Sequence, residues 1–237
     1  PAVLWARGTV PDGPLGAVVG TRHPTSDGEM WARKVSERLV ASGFGVVSGL
    51  AIGIDTAAFI EEARTAPDED RMRSLTGAQM MIGVDRLDYS KGIPQRFRAF
   101  QLLLENNSDL IEKISFLQIA PPTREAVEAY QDIREETEHL AGRVNGQFAT
   151  VNWTPIRFIH RPIPRNLLAG LYRQARIGLV TPLADGMNLV AKEYVAAQDV
   201  SDPGVLILSR FAGAAETMQD ALIINPHDPW ELAEAMA

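Results

Sequence analysis

The sequence predicts an α/β protein built on a doubly wound parallel sheet, preceded by a smaller β-α-β unit. Three observations carry this expectation. Between residues 80 and 224, six short apolar runs are each followed by a turn and a stretch of helical periodicity. The helical stretches are long enough to serve as crossovers, which parallel strands require. Two further strand-like runs, near 17–19 and 46–47, flank another helical stretch. Such alternation gives a sheet covered on both faces, with its ligand crevice where the strand order reverses.

Taken in order, Ala17-Val18-Val19 reads as a strand ending in Gly20-Thr21-Arg22, and Pro24 to Asp27 supply turn and capping chemistry. A helix with Trp31, Val35, Leu39 and Val40 on its apolar face follows, and Gly43 is placed to end it. Val46-Val47 opens the next strand, which runs into Ser48-Gly49-Leu50. Residues 56–79 read as a helical lead-in. Residues 80–237 then give strands at Met80–Val84, Ile114–Ile119, Arg157–His160, Ile177–Val180, Val205–Leu208 and Leu222–Ile224. Their helices are expected at 95–105, 124–140, 166–175, from about 188, at 214–218 and at 230–236. Ala191, Tyr194 and Val195 are expected in the core.

Composition narrows the function. A net charge of −7 without a long run of like charge argues against general polyanion binding. The first 63 residues hold five Lys/Arg against seven Asp/Glu, which disfavours nucleic acid, whose affinity rests on phosphate neutralisation. The absence of cysteine agrees with a reducing, cytoplasmic setting and removes thiolate metal sites. Four scattered histidines, His23, His139, His160 and His227, show no ligand spacing, so no metal is expected. No membrane-length apolar run is present.

Two stretches carry candidate chemistry. In Leu179–Glu193 a strand hands over to a helix through Thr181-Pro182-Leu183-Ala184-Asp185-Gly186. The free N–H groups of a helix start favour an anion, and Glu193 lies two turns further on. An ordinary strand–turn–helix with solvated carboxylates fits this spacing equally well. In Asp85–Gly92, Arg86 and Lys91 share one loop, where a guanidinium and an ammonium can converge on a diphosphate. A solvated basic pair is the alternative.

The run LVTPLADGMNLVAKE resembles the donor-site motif of retaining two-domain glycosyltransferases, and most closely the trehalose-6-phosphate synthase family. Residues 64–237 resemble that family's donor domain almost without a gap. The resemblance implies that Asp185, with the backbone of Gly186, Met187, Asn188, Leu189 and Val190, holds the donor glucose. It implies that Glu193 takes the ribose hydroxyls of UDP, and that Arg86 and Lys91 neutralise the leaving UDP without a metal. Arg124 falls on the position that reaches the acceptor phosphate, and Arg157–Ile163 on the loop that cradles uracil. UDP or UDP-glucose is thus the expected ligand, with no further cofactor. The family's acceptor domain, with its glycine-rich loop and a histidine near the donor sugar, has no recognisable counterpart before residue 55. Little or no catalysis is therefore expected, with an active glucosyltransferase as the alternative.

The N-terminal segment resembles a different family. Leu4-Trp5-Ala6-Arg7-Gly8, VVGTRHPTSDG (18–28) and VVSGLAIGID (46–55) are similar to the opening of the DprA Rossmann-like fold, which loads single-stranded DNA. That resemblance makes Gly20, Thr21 and Arg22 one phosphate-facing loop, and Ser48 and Gly49 part of a second. The motif Ile52-Gly53-Ile54-Asp55 belongs to both patterns, so the two resemblances imply a chimera, engineered or recombined, joined there. A DprA-like single-strand binder is the third function this leaves. Two strands and a helix cannot bury both faces, so residues 1–55 are expected to dock on the rest or to pair in a homodimer.

Overall fold

The structure, a computed structural model, describes residues 15–17, 34, 37, 38, 41, 42, 45–47, 54–66, 79–122 and 128–237. The chain divides into two compact units, Pro1–Ile52 and Gly53–Ala237. In the first, strands β1 (Leu15–Ala17) and β2 (Gly45–Val47) pair in parallel, Gly16 opposite Val46. Of the expected strand Ala17-Val18-Val19, Ala17 belongs to β1, and Val18 and Val19 lie outside the described residues. Lys34, Glu37, Arg38 and Ala41 are helical and exposed, as the polar face of the expected helix requires. Gly20, Thr21, Arg22, Ser48 and Gly49 lie outside the described residues.

The second unit holds a six-stranded, wholly parallel sheet. Its strands are β3 (Gln79–Val84), β4 (Ile114–Ile119), β5 (Ile156–Ile159), β6 (Ile177–Val180), β7 (Val205–Ser209) and β8 (Leu222–Ile224). They lie in the order β5-β4-β3-β6-β7-β8, so the winding reverses between β3 and β6. This is the doubly wound arrangement the sequence predicts. Helix α1 (Thr56–Arg64) is capped by Asp55, whose carboxylate accepts from the Ala58 N–H at 3.1 Å. The remaining helices are α2 (Ile93–Asn106), α3 (Glu128–Phe148), α4 (Arg165–Gln174), α5 (Leu189–Ala197) and α6 (Pro229–Met236).

Alternate strand residues feed two cores. Met81, Phe116, Ile156, Leu179 and Ile207 pack with α2, α3 and α6 on one face. Met80, Ile82, Leu117, Val180 and Leu206 pack with α1, α4 and α5 on the other. Strands buried on both faces lose the apolar–polar alternation, which is why these read as continuous apolar runs. Four details depart from expectation. Helix α3 runs eight residues past Leu140, because Val144, one turn on, is completely buried against the core. The helix expected at 214–218 is a single 3₁₀ turn, Gly213–Glu216. Val195 is 47% exposed, since the buried stripe of α5 is Ala191, Tyr194 and Ala197 and Val195 turns away from it. Of the lead-in, Thr56–Arg64 is the described helix, and Phe59 and Ala63 bury against the α4 side.

Candidate functional site

Three loops meet at the carboxyl ends of β3, β6 and β7. The first leaves β3 at Asp85. Asp88 then folds back over Tyr89–Lys91, its Oδ1 accepting from the Ser90 N–H at 2.9 Å and the Ser90 hydroxyl at 2.8 Å. The Tyr130 hydroxyl of α3 donates to Asp88 Oδ2 at 3.1 Å. Burial pushes the Asp88 carboxyl up, but the Ser90 and Tyr130 hydrogen bonds and the Lys91 charge outweigh it, leaving the pKa below its usual value. Gly92 closes the loop at φ 68°, and a Cβ there would sit 2.7 Å from the Thr181 carbonyl. Only glycine meets both demands. Ile93 and Pro94 then start α2.

The second loop, Thr181–Asn188, is bound to the first: the N–H groups of Leu183 and Ala184 donate to the Ser90 carbonyl at 2.7 and 3.3 Å. The third, after β7, forms a parallel bridge between Ala212 and Asp185. The Asp185 N–H donates to the Phe211 carbonyl at 3.1 Å, and the Gly213 N–H to the Asp185 carbonyl at 3.0 Å. A Cβ on Gly213 would lie 2.1 Å from the Gly186 carbonyl, so the third loop needs glycine at its closest approach.

Asp185 is the point on which these loops converge. Its Oδ2 accepts from Lys91 Nζ at 2.5 Å and from Asn188 Nδ2 at 3.1 Å. The Met187 N–H lies 3.4 Å from Oδ1. The Lys91 and Asp185 side chains are 13% and 16% exposed, so the ion pair is shielded yet reachable. Asn188 takes φ 64°, a left-handed backbone that asparagine tolerates better than most residues, and this turns its amide towards Asp185. Asn188 is 7% exposed, and its Oδ1 has no hydrogen-bond partner among the described residues. Leu189 and Val190 form the partly buried first turn of α5.

Glu193 is half-buried on the next turn. Burial raises its pKa above the ordinary 4.5, the Arg165 charge opposes that shift, and the Glu62 charge adds to it. Arg86 is exposed just beyond the buried Asp85. The structure therefore joins Lys91, Asp185, Met187 and Asn188 directly. Lys91, expected beside Arg86, has Asp185 as its ionic partner. Arg124 lies outside the described residues. Among the described residues, no group of three His, Asp or Glu could hold a metal ion, and no helix is long and apolar enough to cross a membrane.

Sequence reasoning missed the residues under the loops: Arg96, Gln118 and Thr181, with Asp85 unassigned. A signal existed. Arg96 follows Ile93 by three residues and precedes Phe97 and Phe100, placing a charge on the apolar face of α2.

The sequence pattern of glycosyltransferase family 20 matches residues 32–237. The trehalose-6-phosphate synthase of Sinorhizobium fredii is 51% identical over 191 residues, covering 79% of this chain and 41% of that protein. That of Sodalis glossinidius is 50% identical over 187 residues, covering 78% and 40%. Among solved structures, a UDP-forming α,α-trehalose-phosphate synthase from Burkholderia xenovorans, in complex with glucose-6-phosphate, superposes with a TM-score of 0.76 at 51% identity. That match covers 81% of this chain and 43% of the other. An Escherichia coli structure bound with UDP-2-fluoro glucose gives 0.78 at 39% identity, covering 93% and 52%. The chain thus spans about two fifths of the curated relatives' length. Residues 32–55, assigned above to a DprA-like segment, fall inside the family match, and nothing in the comparisons supports a DprA-like or chimeric origin. The chain belongs to glycosyltransferase family 20.

Proposed function

We propose that the second unit binds UDP-glucose at the β3/β6 switch point and serves as the donor half of a retaining glucosyltransferase that forms trehalose 6-phosphate. The observation that carries this is the shielded Lys91–Asp185 pair, which sets a cation and a carboxylate side by side where an open α/β sheet binds its ligand. A phosphate competes for the ammonium, and a sugar hydroxyl can donate to the carboxylate so released. Arg86, exposed at the same loop, adds a second cation for the diphosphate. Glu193 and the first turn of α5 stand further along for the ribose, and Asn188 Oδ1 is a free acceptor beside the sugar position. Positioned charges of this kind stabilise a departing diphosphate and are often the largest catalytic contribution. The names of the related synthases support UDP and a glucose donor.

Titration calorimetry with UDP and UDP-glucose tests the site. Lys91→Glu is expected to abolish binding of both, because it sets two carboxylates together where the diphosphate must lie. Asp185→Ala is expected to weaken UDP-glucose more than UDP, since its partner is the sugar. Equal UDP affinity in the wild type and Lys91→Glu would reject the assignment.

A further inference from the structure

Arg96 is completely buried, and its guanidinium is spent entirely on the floor of the site. Nε donates to Thr181 Oγ1 at 2.7 Å, just beyond β6. Nη1 donates to Asp85 Oδ2 at 2.6 Å, just beyond β3, and to Gln118 Oε1 of β4 at 3.1 Å. Nη2 donates to the Lys91 carbonyl at 3.0 Å. One planar group therefore joins three adjacent strand ends to the loop that presents Lys91. The sheet makes room for it at Gly83, where a Cβ would lie 2.4 Å from Gln118 Oε1 and 2.9 Å from Arg96 Nη1.

A buried ion pair is weak evidence for stability, because the desolvation of both charges offsets their attraction. Well-packed apolar residues could fill such a floor as firmly. What they could not do is hold the Lys91 carbonyl and the Thr181 hydroxyl in one rigid fork. Those two contacts set the separation of the loops whose side chains, Lys91 and Asp185, form the ion pair above. Arg96 itself touches neither ammonium nor carboxylate of that pair.

Resting on the UDP-glucose site proposed above, we propose that Arg96 is a positioning residue for nucleotide binding: it fixes the backbone of Lys91 against the end of β6, so that the ammonium is presented to the diphosphate at a set place. Arg96→Lys keeps the charge beside Asp85 but cannot span the fork.

The test is a double-mutant cycle on UDP affinity, with the fold monitored by a cooperative thermal melt. Arg96→Lys is expected to weaken UDP about tenfold in the wild-type background, the order expected for one lost hydrogen bond to a well-placed group. In a Lys91→Ala background it is expected to cost nothing further, because the ammonium it positions is gone. An equal loss in both backgrounds, or none in either, would overturn the proposal, since a merely structural arginine acts independently of Lys91. Should Arg96→Lys fail to fold, Gly83→Ala crowds the same guanidinium without altering any charge and enters the same cycle. Were the wild type to bind no UDP, the proposed function would fail, but the arginine's role would still be readable. The ¹³C signal of methylated Lys91 is expected to move in Arg96→Lys in the same direction as in Asp185→Asn, and an unmoved signal would refute it.

Discussion

At the scale of single residues, the shielded Lys91–Asp185 ion pair is a contact that only the folded chain makes. Lys91 and Asp185 are 94 positions apart, and no local pattern states that they pair. Their encounter follows from the β3/β6 adjacency, a property of the whole sheet. Glu193 illustrates a second residue-level effect. Its carboxyl is raised by burial, with Arg165 opposing and Glu62 adding, so the fold disfavours its ionised form. The penalty is fully present above the folded-state pKa and disappears as pH falls below the ordinary value of 4.5. Glu193→Gln is therefore expected to melt no lower than the wild type at pH 7, and any advantage should vanish below about pH 4. If Glu193 holds the ribose, the same variant loses UDP affinity, stability and binding moving in opposite directions. A Glu193→Gln protein that melts lower than the wild type at pH 7, or whose advantage over it grows as the medium is acidified, would contradict this account of the carboxyl.

Elements were more legible than contacts. Strands β4, β6 and β8 fall on their expected bounds, and the others within a residue or two, because runs such as Ile114–Ile119 are buried on both faces and leave little ambiguity. Helix α3 runs past its expected end through two glycines, Gly142 and Gly146, and nothing lies within 4 Å of a Cβ at either. They sit on an open face, and Val144 between them anchors the last turns. The converse case is α5, seated on β6 and β7 by Tyr194. Its ring lies 2.7–2.8 Å from where a Gly178 Cβ would be, and its hydroxyl 2.3 Å from that of Gly204. The hydroxyl donates to the Ala175 carbonyl at 3.0 Å, and the ring meets Tyr172 edge-on at 6.2 Å. So held, the ring cannot retreat. Gly178→Ala is expected to destabilise the unit by about 1–3 kcal/mol, as overpacking of a fixed core does. Chemical denaturation measures this, and a Tyr194→Leu background, which frees the space, should recover part of the loss. An undiminished cost in that background would show that Gly178 is required for some other reason.

For the whole molecule, the alternation of strands and helices sufficed to predict the sheet, while nothing found supports the DprA-like reading of the first 55 residues. The motif Ile52-Gly53-Ile54-Asp55 belongs to both patterns, so it does not discriminate between the two families. The match of residues 32–237 to one family is the stronger statement. What the 237-residue chain does by itself is a question of geometry. Glycosyl transfer gains rate from holding donor and acceptor in a near-attack arrangement, worth roughly 7–11 kcal/mol when both are well oriented. On the reading proposed above, the residues joined at the β3/β6 crevice supply the donor side, while no acceptor motif is recognisable before residue 55. Losing half of that contribution slows transfer by about a thousandfold, since ~1.4 kcal/mol is a factor of ten. With UDP-glucose and glucose-6-phosphate both present, this chain alone is therefore expected to bind the donor while releasing UDP at a rate far below ~1 per second. A coupled UDP-release assay decides it. Release at several turnovers per second that requires glucose-6-phosphate, and that Asp185→Ala stops, would mean that the chain itself completes the acceptor side.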